Sequence, residues 1–283
     1  MINVQNISFK YKGQKALVFD GFSLQLEENH IYGLLGKNGT GKSTLLYLLS
    51  GLLRPISGSV YCDNVAVYKR TPELLSNLFL VTEEFEMPAI RLSEYVRLYK
   101  PFDPNFSDEV LQSCLADFEL PADVHLGELS MGQRKKAYIA FAMATNTRYL
   151  LMDEPTNGLD IPSKSQFRKV IAQHMTEDRT VVISTHQVHD VEQMLDHILM
   201  LDRHSVLMNA SMQDIQDQYT FEYRTPQQMD DSVLYAEPTL QGNAVICRRQ
   251  EDDAETQVNL ELLFNYKTQA KLIHLITIDS RRH

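Results

Sequence analysis

Gly36-Lys37-Asn38-Gly39-Thr40-Gly41-Lys42-Ser43-Thr44 decides how this chain folds. The stretch fits G-x-x-x-x-G-K-[ST], and its flanks supply the context that pattern needs. Upstream, His30–Leu35 is a short apolar run that reads as a buried strand stopped by Gly36. Downstream, Ser43–Leu53 sets Leu45, Leu46, Leu48, Leu49, Leu52 and Leu53 at helical spacing and ends near Gly51 and Pro55. Glycines let the backbone turn with its N–H groups pointing inward, so a ring of donors surrounds a phosphate chain. The helix that follows turns its N-terminal dipole toward the same anion. Lys42 adds a full positive charge for the β- and γ-phosphates, and the Ser43 hydroxyl can ligate Mg²⁺. The plain alternative is a chance glycine loop with a surface lysine, and the strand before and helix after argue against it.

Further along, Leu150-Leu151-Met152-Asp153-Glu154-Pro155 ends an apolar strand on two carboxylates. Asp153 is the expected Mg²⁺ partner, direct or through water. Glu154 leaves the strand one residue later and can face a water in line with the γ-phosphate. A carboxylate base of that kind contributes roughly 10²- to 10⁴-fold. Alone, such a pair reads equally well as a solvated strand end. Downstream of a phosphate loop it reads as the second half of a hydrolytic site.

The remaining pattern alternates strands with helices. Ile2–Phe9 and Phe22–Leu26 alternate apolar with polar residues, as half-buried strands do; Leu78–Val81, Tyr149–Met152 and Val181–Ser184 read as strands. Helices are expected between about residues 92 and 120, broken at Pro101 and Pro104, then over Gly132–Ala144 and Lys164–Met175. That order implies a parallel sheet covered on both faces. After about Met212 short β-like runs take over (Val233–Tyr235, Ala244–Cys247, Gln257–Leu260), with an acidic turn at Glu251–Glu255, as in a small appended subdomain.

Composition bounds the possibilities. The 283 residues are 43% hydrophobic, enough for one large domain and a small one. A net charge of −10 disfavours nonspecific nucleic-acid binding, which requires a positive surface, so no nucleic-acid partner is expected. Cys62, Cys114 and Cys247 lie far apart without CxxC pairing and read as reduced thiols of a cytosolic protein. The N-terminus lacks the pattern of a secretion signal, and apolar windows such as Ile31–Leu35 and Ala137–Ala144 are too short to span a bilayer. Any link to a membrane must run through a partner.

With these motifs in order, residues 1–210 or so resemble the ABC ATPase family. Leu129-Ser130-Met131-Gly132-Gln133 resembles that family's LSGGQ signature, with Met131 in place of the first glycine. Gly158-Leu159-Asp160 resembles its D-loop, His186 its switch histidine, and Tyr11 its adenine-stacking aromatic residue. Each has a plainer reading: Ser130 as a helix cap, His186 as a strand-end histidine, Tyr11 as core. His186 and His189, three apart, would suggest a metal pair, but no third ligand follows at fitting spacing. Where the family carries a glutamine that contacts Mg²⁺ and the transmembrane partner, Glu83 aligns. A carboxylate can ligate the ion but cannot donate a hydrogen bond. Val258–Phe264 and the run Leu151–Lys169 are similar to ATPase subunits of multidrug- and bacitracin-type exporters.

The resemblance implies an α/β P-loop NTPase of ABC ATPase type with an antiparallel β-subdomain, a helical insert at about 84–145 and a small C-terminal α+β extension. The domain would be 1–211 and the extension 212–283. It implies ATP and Mg²⁺ as cofactors, and Lys42, Glu154 and His186 as catalytic groups. Tyr11, residues 36–44, Ser130, Gly132, Gln133 and Asp160 would contact nucleotide, and Ser43, Glu83 and Asp153 would contact the ion. It also implies a head-to-tail dimer, with a second copy or a paralogous subunit, sandwiching two ATPs. That dimer would sit on an integral membrane permease, at the inner face of the cell membrane. A soluble ABC ATPase with a regulatory role is the alternative. Translation factors of that type carry two cassettes, whereas one phosphate loop occurs here. Chromosome-organising ATPases split the cassette with a coiled coil, and no sustained heptad run separates Lys42 from Asp153. A protein that binds ATP without turnover would not need Glu154.

Overall fold

The structure, a computed structural model, describes residues 1–202 and 205–279, with side chains up to residue 271. The chain opens with β1 (Ile2–Phe9) and β2 (Phe19–Leu26), then β3 (Ile31–Leu35), α1 (Lys42–Leu49), β4 (Ser57–Cys62) and β5 (Val65–Ala66). Strands β2-β1-β4-β5 pair in that order as an antiparallel sheet. A short helix α2 (Pro72–Leu75) leads to β6 (Leu78–Val81). A helical layer follows: α3 (Leu92–Tyr99), α4 (Asp108–Asp117) and α5 (Met131–Ala144). The chain then returns through β7 (Tyr149–Asp153), α6 (Ile161–Gln173), β8 (Thr180–Thr185), β9 (His197–Asp202) and β10 (Ser205–Ser211).

The central sheet runs β10-β9-β3-β8-β7-β6, parallel except for the antiparallel edge strand β10. All positions of β3, β7 and β8 are buried, which explains their unbroken apolar runs. Alternation within β3 still sorts the two faces. Tyr32 and Leu34 pack with α1 and the antiparallel sheet, whereas Ile31 and Leu35 join the helical side. In α1, Leu45, Leu46, Leu48 and Leu49 are wholly buried, each contributing about 1.5–3 kcal/mol of transfer free energy. That anchors the helix whose N-terminus ends the glycine loop. Pro101 and Pro104 separate α3 from α4 as the sequence suggests. Cys62, Cys114 and Cys247 are all buried free thiols.

The tail departs from expectation in two places. Tyr219–Arg224 forms a strand, β11, after the short helix α7 (Met212–Gln218). It joins β12 (Val233–Thr239) and β13 (Gly242–Arg248) in a sheet ordered β11-β13-β12. Gln257–Leu260 is not a strand. The Asn259 carboxamide oxygen accepts the Leu262 N–H at 2.9 Å and starts α8 (Leu260–Asp279). Residues 280–283 of the expected extension lie outside the described residues. The tail is not a separate core. Ile215, Phe221, Ile246, Leu260 and Leu263 belong to the same buried cluster as Val191, Leu195 and Met200. Among the described residues no helix is long and apolar enough to cross a membrane.

Candidate active site

The loop between β3 and α1 closes on itself. The Thr40 N–H and hydroxyl both donate to the Lys37 carbonyl, at 3.2 and 2.8 Å. Gly41 has φ +101°, a conformation that side chains avoid, and a Cβ there would meet Val18 and Phe19 at 2.9 Å. Lys42 is buried; its ammonium donates to the Gly36 carbonyl at 2.8 Å and lies 3.9 Å from Glu154 Oε1. Burial pushes its pKa down, and the neighbouring Glu154, Asp153 and Glu83 carboxylates pull it back up.

Asp153 and Glu154 leave the end of β7 beside β8. The Ser184 hydroxyl donates to Asp153 Oδ1. Glu154 sits at φ 45°, in the left-handed region uncommon for a residue with a side chain. Contacts from β8 and the residue after it hold it there: its N–H donates to the Ser184 carbonyl at 2.9 Å, its carboxylate pairs with His186 Nδ1 at 2.9 Å, and the His186 N–H approaches at 3.4 Å. Tyr11, Lys42, Ser43, Thr44, Glu83 and Glu154 line one cavity of about 400 Å³, together with Asn38, Gly39 and Gly41. The structure thus brings the phosphate loop, the acidic pair, the Glu83 loop and the aromatic residue to one place.

Other expected residues lie elsewhere or have other partners. Tyr11 donates to or accepts from Thr44 Oγ1 at 2.9 Å, while its ring meets Phe9 edge-on. Lys37 and His186 line a second cavity of about 560 Å³, which meets the first at Asn38 and is lined also by His189, Glu261 and Phe264. Ser130, Gly132 and Gln133 do not line the phosphate cavity. Ser130 caps α5 in a reciprocal box: Gln133 N–H to Ser130 Oγ at 3.2 Å, Ser130 N–H to Gln133 Oε1 at 3.1 Å. Asp160 caps α6, accepting the Ser163 N–H at 2.9 Å. These bonds lower its pKa, the Ser163 hydroxyl contact first. Of the expected contacts, those at Ser130 and Asp160 thus have a helix-starting role of their own.

A divalent cation is implied by these side chains, and the donor set suits a hard one. The Ser43 hydroxyl has no hydrogen-bond partner among the described residues. Asp153 and Glu83 each have one oxygen engaged, by Ser184 and by Asn157 Nδ2 at 2.8 Å, leaving the other oxygen without a hydrogen-bond partner among the described residues. Among the described residues no cluster of three or more His, Cys, Asp or Glu forms a cage. Such a site fits Mg²⁺, which is commonly held by one or two protein oxygens plus phosphates.

Sequence reasoning overlooked Lys135. On the flank of α5 it is buried, and its ammonium donates to the carbonyls of Glu154 at 2.8 Å and Asn157 at 2.9 Å. A lysine two residues past a helix-start motif reads as solvated, and no spacing rule marks it.

Comparison with known proteins agrees with this geometry. Residues 19–157 match the family model described as ABC transporter. The chain is 26% identical over 225 residues to the ABC transporter ATP-binding protein YtrB of Bacillus subtilis, covering 77% of this chain and 75% of that one. It is 28% identical to the zinc uptake system ATP-binding protein ZurA of Listeria innocua, covering 76% and 88%. Among solved structures, the ATP-binding cassette MJ0796, captured as a dimer after hydrolysis with ADP and phosphate, superposes with a TM-score of 0.66. It is 25% identical and covered to 99%, over 75% of this chain. An uptake protein at this distance means that the narrower likeness to multidrug and bacitracin exporters does not separate export from import. A glycine loop leading into a helix, a carboxylate pair beside it and a signature motif outside its cavity agree with these relatives, and residues 19–157 carry the domain of the ABC transporter family, as its ATP-binding, ATP-hydrolysing subunits do.

Proposed function

We propose that this chain hydrolyses ATP at a site shared between two copies and so drives an integral membrane permease on whose inner face it sits. Lys42 and the amides of residues 36–44 hold the β- and γ-phosphates. Ser43, Asp153 and Glu83 supply oxygen ligands to Mg²⁺, which when bound neutralises phosphate charge as the bond breaks. Glu154 takes a proton from the attacking water, and His186, bonded to that carboxylate, faces the γ-phosphate. Tyr11 borders the space for the base. Ser130, Gly132 and Gln133 serve the partner's nucleotide, because the helix N-terminus they form is an anion site that the chain's own phosphate cavity does not include.

The observation that carries this reading is the seating of Glu154: a buried carboxylate, 3.9 Å from the Lys42 ammonium and paired with His186, at the mouth of the phosphate cavity. Support for a permease comes from the place where residues of α2, α3 and α5 line one groove. There an apolar groove of about 900 Å³ is lined by Leu75, Tyr95, Tyr99, Phe102, Tyr138 and Phe141, with Phe102 75% exposed. Aromatic side chains make up much of its lining, and a cytoplasmic helix of the membrane partner is the occupant this reading assigns to it.

Glu154→Gln is the test. It keeps shape and hydrogen-bonding capacity and removes basicity, so ATP should still bind while turnover falls by at least about 10²-fold. Without nucleotide the variant should run as a monomer in size-exclusion chromatography with light scattering, and with ATP and Mg²⁺ as a dimer. Hydrolysis at the parent rate would remove Glu154 from the mechanism.

A further inference from the structure

The turn after β7 is held from a direction the hydrolytic reading does not use. Residues 154–157 form a tight turn in which the Asn157 N–H donates to the Glu154 carbonyl at 3.1 Å. Lys135 reaches across from α5 and bonds both ends of that turn, at 2.8 Å to Glu154 and 2.9 Å to Asn157. Asn157 in turn donates to Glu83 at 2.8 Å. One ammonium thus connects the helix that begins at Ser130, the carboxylate beside the phosphate cavity and the Glu83 loop.

Stability alone does not explain a lysine here. Its ammonium is buried, and burial costs a cation far more than it costs an apolar side chain of the same length. Its pKa is lowered by burial, with Glu83, Glu154 and Asp153 opposing that shift, so the group lies within the field of all three carboxylates. Glu154 also sits at φ 45°, a conformation that relaxes unless its neighbours hold it. The Ser184 carbonyl holds its N–H, His186 holds its carboxylate, and Lys135 is the side chain that holds its carbonyl.

We propose that Lys135 is a positioning residue for Glu154: by clamping the carbonyls of Glu154 and Asn157 it aims the carboxylate and ties that aim to the helix carrying Ser130. The proposal rests on the reading of Glu154 as the base. In a shared-site dimer it has a consequence. Ser130 meets the partner's nucleotide, so movement of α5 on that nucleotide reaches the chain's own Glu154 through one side chain. The two sites are then coupled through Lys135.

The full-length protein tests this with three substitutions at one position. Lys135→Met keeps the length and removes the donors. Lys135→Arg keeps the charge and can span two carbonyls. Lys135→Gln retains amide N–H donors but loses the charge and some of the reach. With ATP affinity measured by a fluorescent analogue, Lys135→Met should keep affinity within about threefold of the parent while kcat falls roughly ten- to a hundredfold. Lys135→Arg should restore most of kcat, with Lys135→Gln between. The Hill coefficient for ATP should fall toward one in Lys135→Met. A purely structural lysine would instead lower affinity, kcat and melting temperature together in all three. Parent-like kcat in Lys135→Met, or equal losses in Met and Arg variants, overturns the proposal. If Lys135→Met does not fold, Lys135→Gln decides: a folded Gln variant with parent kcat overturns it as well. Glu154→Gln, assayed beside them, separates the two ideas. Active Glu154→Gln removes the base itself, whereas inactive Glu154→Gln with active Lys135→Met removes only the clamp.

Discussion

Glu83 and Lys42 show how single side chains set the charge balance of the cavity. Glu83 occupies a place where a glutamine is the family's habit, and its carboxylate accepts from Asn157 Nδ2 at 2.8 Å. A glutamine carbonyl can accept the same bond, so Glu83→Gln should leave steady-state ATPase activity within about threefold of the parent. Glu83→Ala strands the Asn157 amide and should cost turnover about tenfold. A large loss in the Gln variant with unchanged ATP affinity would mean that the negative charge itself takes part in the reaction. Lys42 is the complementary case. Its ammonium is the buried cation in direct contact with the loop, and a charge-assisted bond is worth about 1.5–3 kcal/mol. Lys42→Ala should therefore weaken binding of a fluorescent ATP analogue by roughly ten- to a hundredfold or more. Unchanged affinity would place the phosphates elsewhere.

At the scale of elements, the last helix meets the loop that follows His186. His189 lies between Glu192, at 3.4 Å, and Glu261 on the first turn of α8, at 3.3 Å. These partners raise its pKa above the ordinary 6.5, the Glu192 hydrogen bond most, Glu261 adding to it and burial opposing. A raised folded pKa means that the contact stabilises fully below the unfolded value and is lost as pH rises through the folded one. Glu261→Gln should move the His189 NMR titration midpoint downward, and thermal stability should become less sensitive to pH between about 6 and 8. An unshifted midpoint would show that α8 does not touch this loop in solution. The same helix marks the limit of sequence reading. Strands β3, β7 and β8 were legible because they are buried runs of mostly apolar residues, and β6 because it is a half-buried apolar one. The phosphate loop and acidic pair were legible because their chemistry fixes residue type and spacing. The start of α8 was not, since Val258-Asn259-Leu260 alternates like a strand until the Asn259 amide caps Leu262. Nor was β11, where Tyr219, Phe221 and Tyr223 alternate correctly but follow α7 with no turn residue to announce them. Lys135 was invisible for a third reason: its role comes from a turn nineteen residues away, which only the packing of α5 against the central sheet and α6 brings within reach.

For the whole molecule, the placement of the signature decides how the sites are organised. Ser130 begins α5 outside the phosphate cavity, with Met131 beside it 75% exposed, so this N-terminus faces outward from its own nucleotide site. If two copies meet head to tail, each site takes its phosphate loop from one chain and its signature from the other. A mixture of two defective chains can then succeed where each fails alone. In a Glu154→Gln background, Ser130→Arg fills the anion site with bulk and spoils the signature. Its cost to the helix cap is about 1 kcal/mol, small enough for the fold to persist. Lys42→Ala spoils the phosphate loop. A dimer of either variant with itself has no intact site. A mixed pair concentrates both defects in one site and leaves the other whole. Fluorescence energy transfer between differently labelled chains should therefore be absent for each variant alone and appear on mixing with ATP and Mg²⁺. It should be greatest at equal amounts and weaker than in the Glu154→Gln parent, because one nucleotide bridge replaces two. If each chain instead carried a complete site within itself, mixing would restore nothing, and the outward-facing Ser130 would be a helix cap alone.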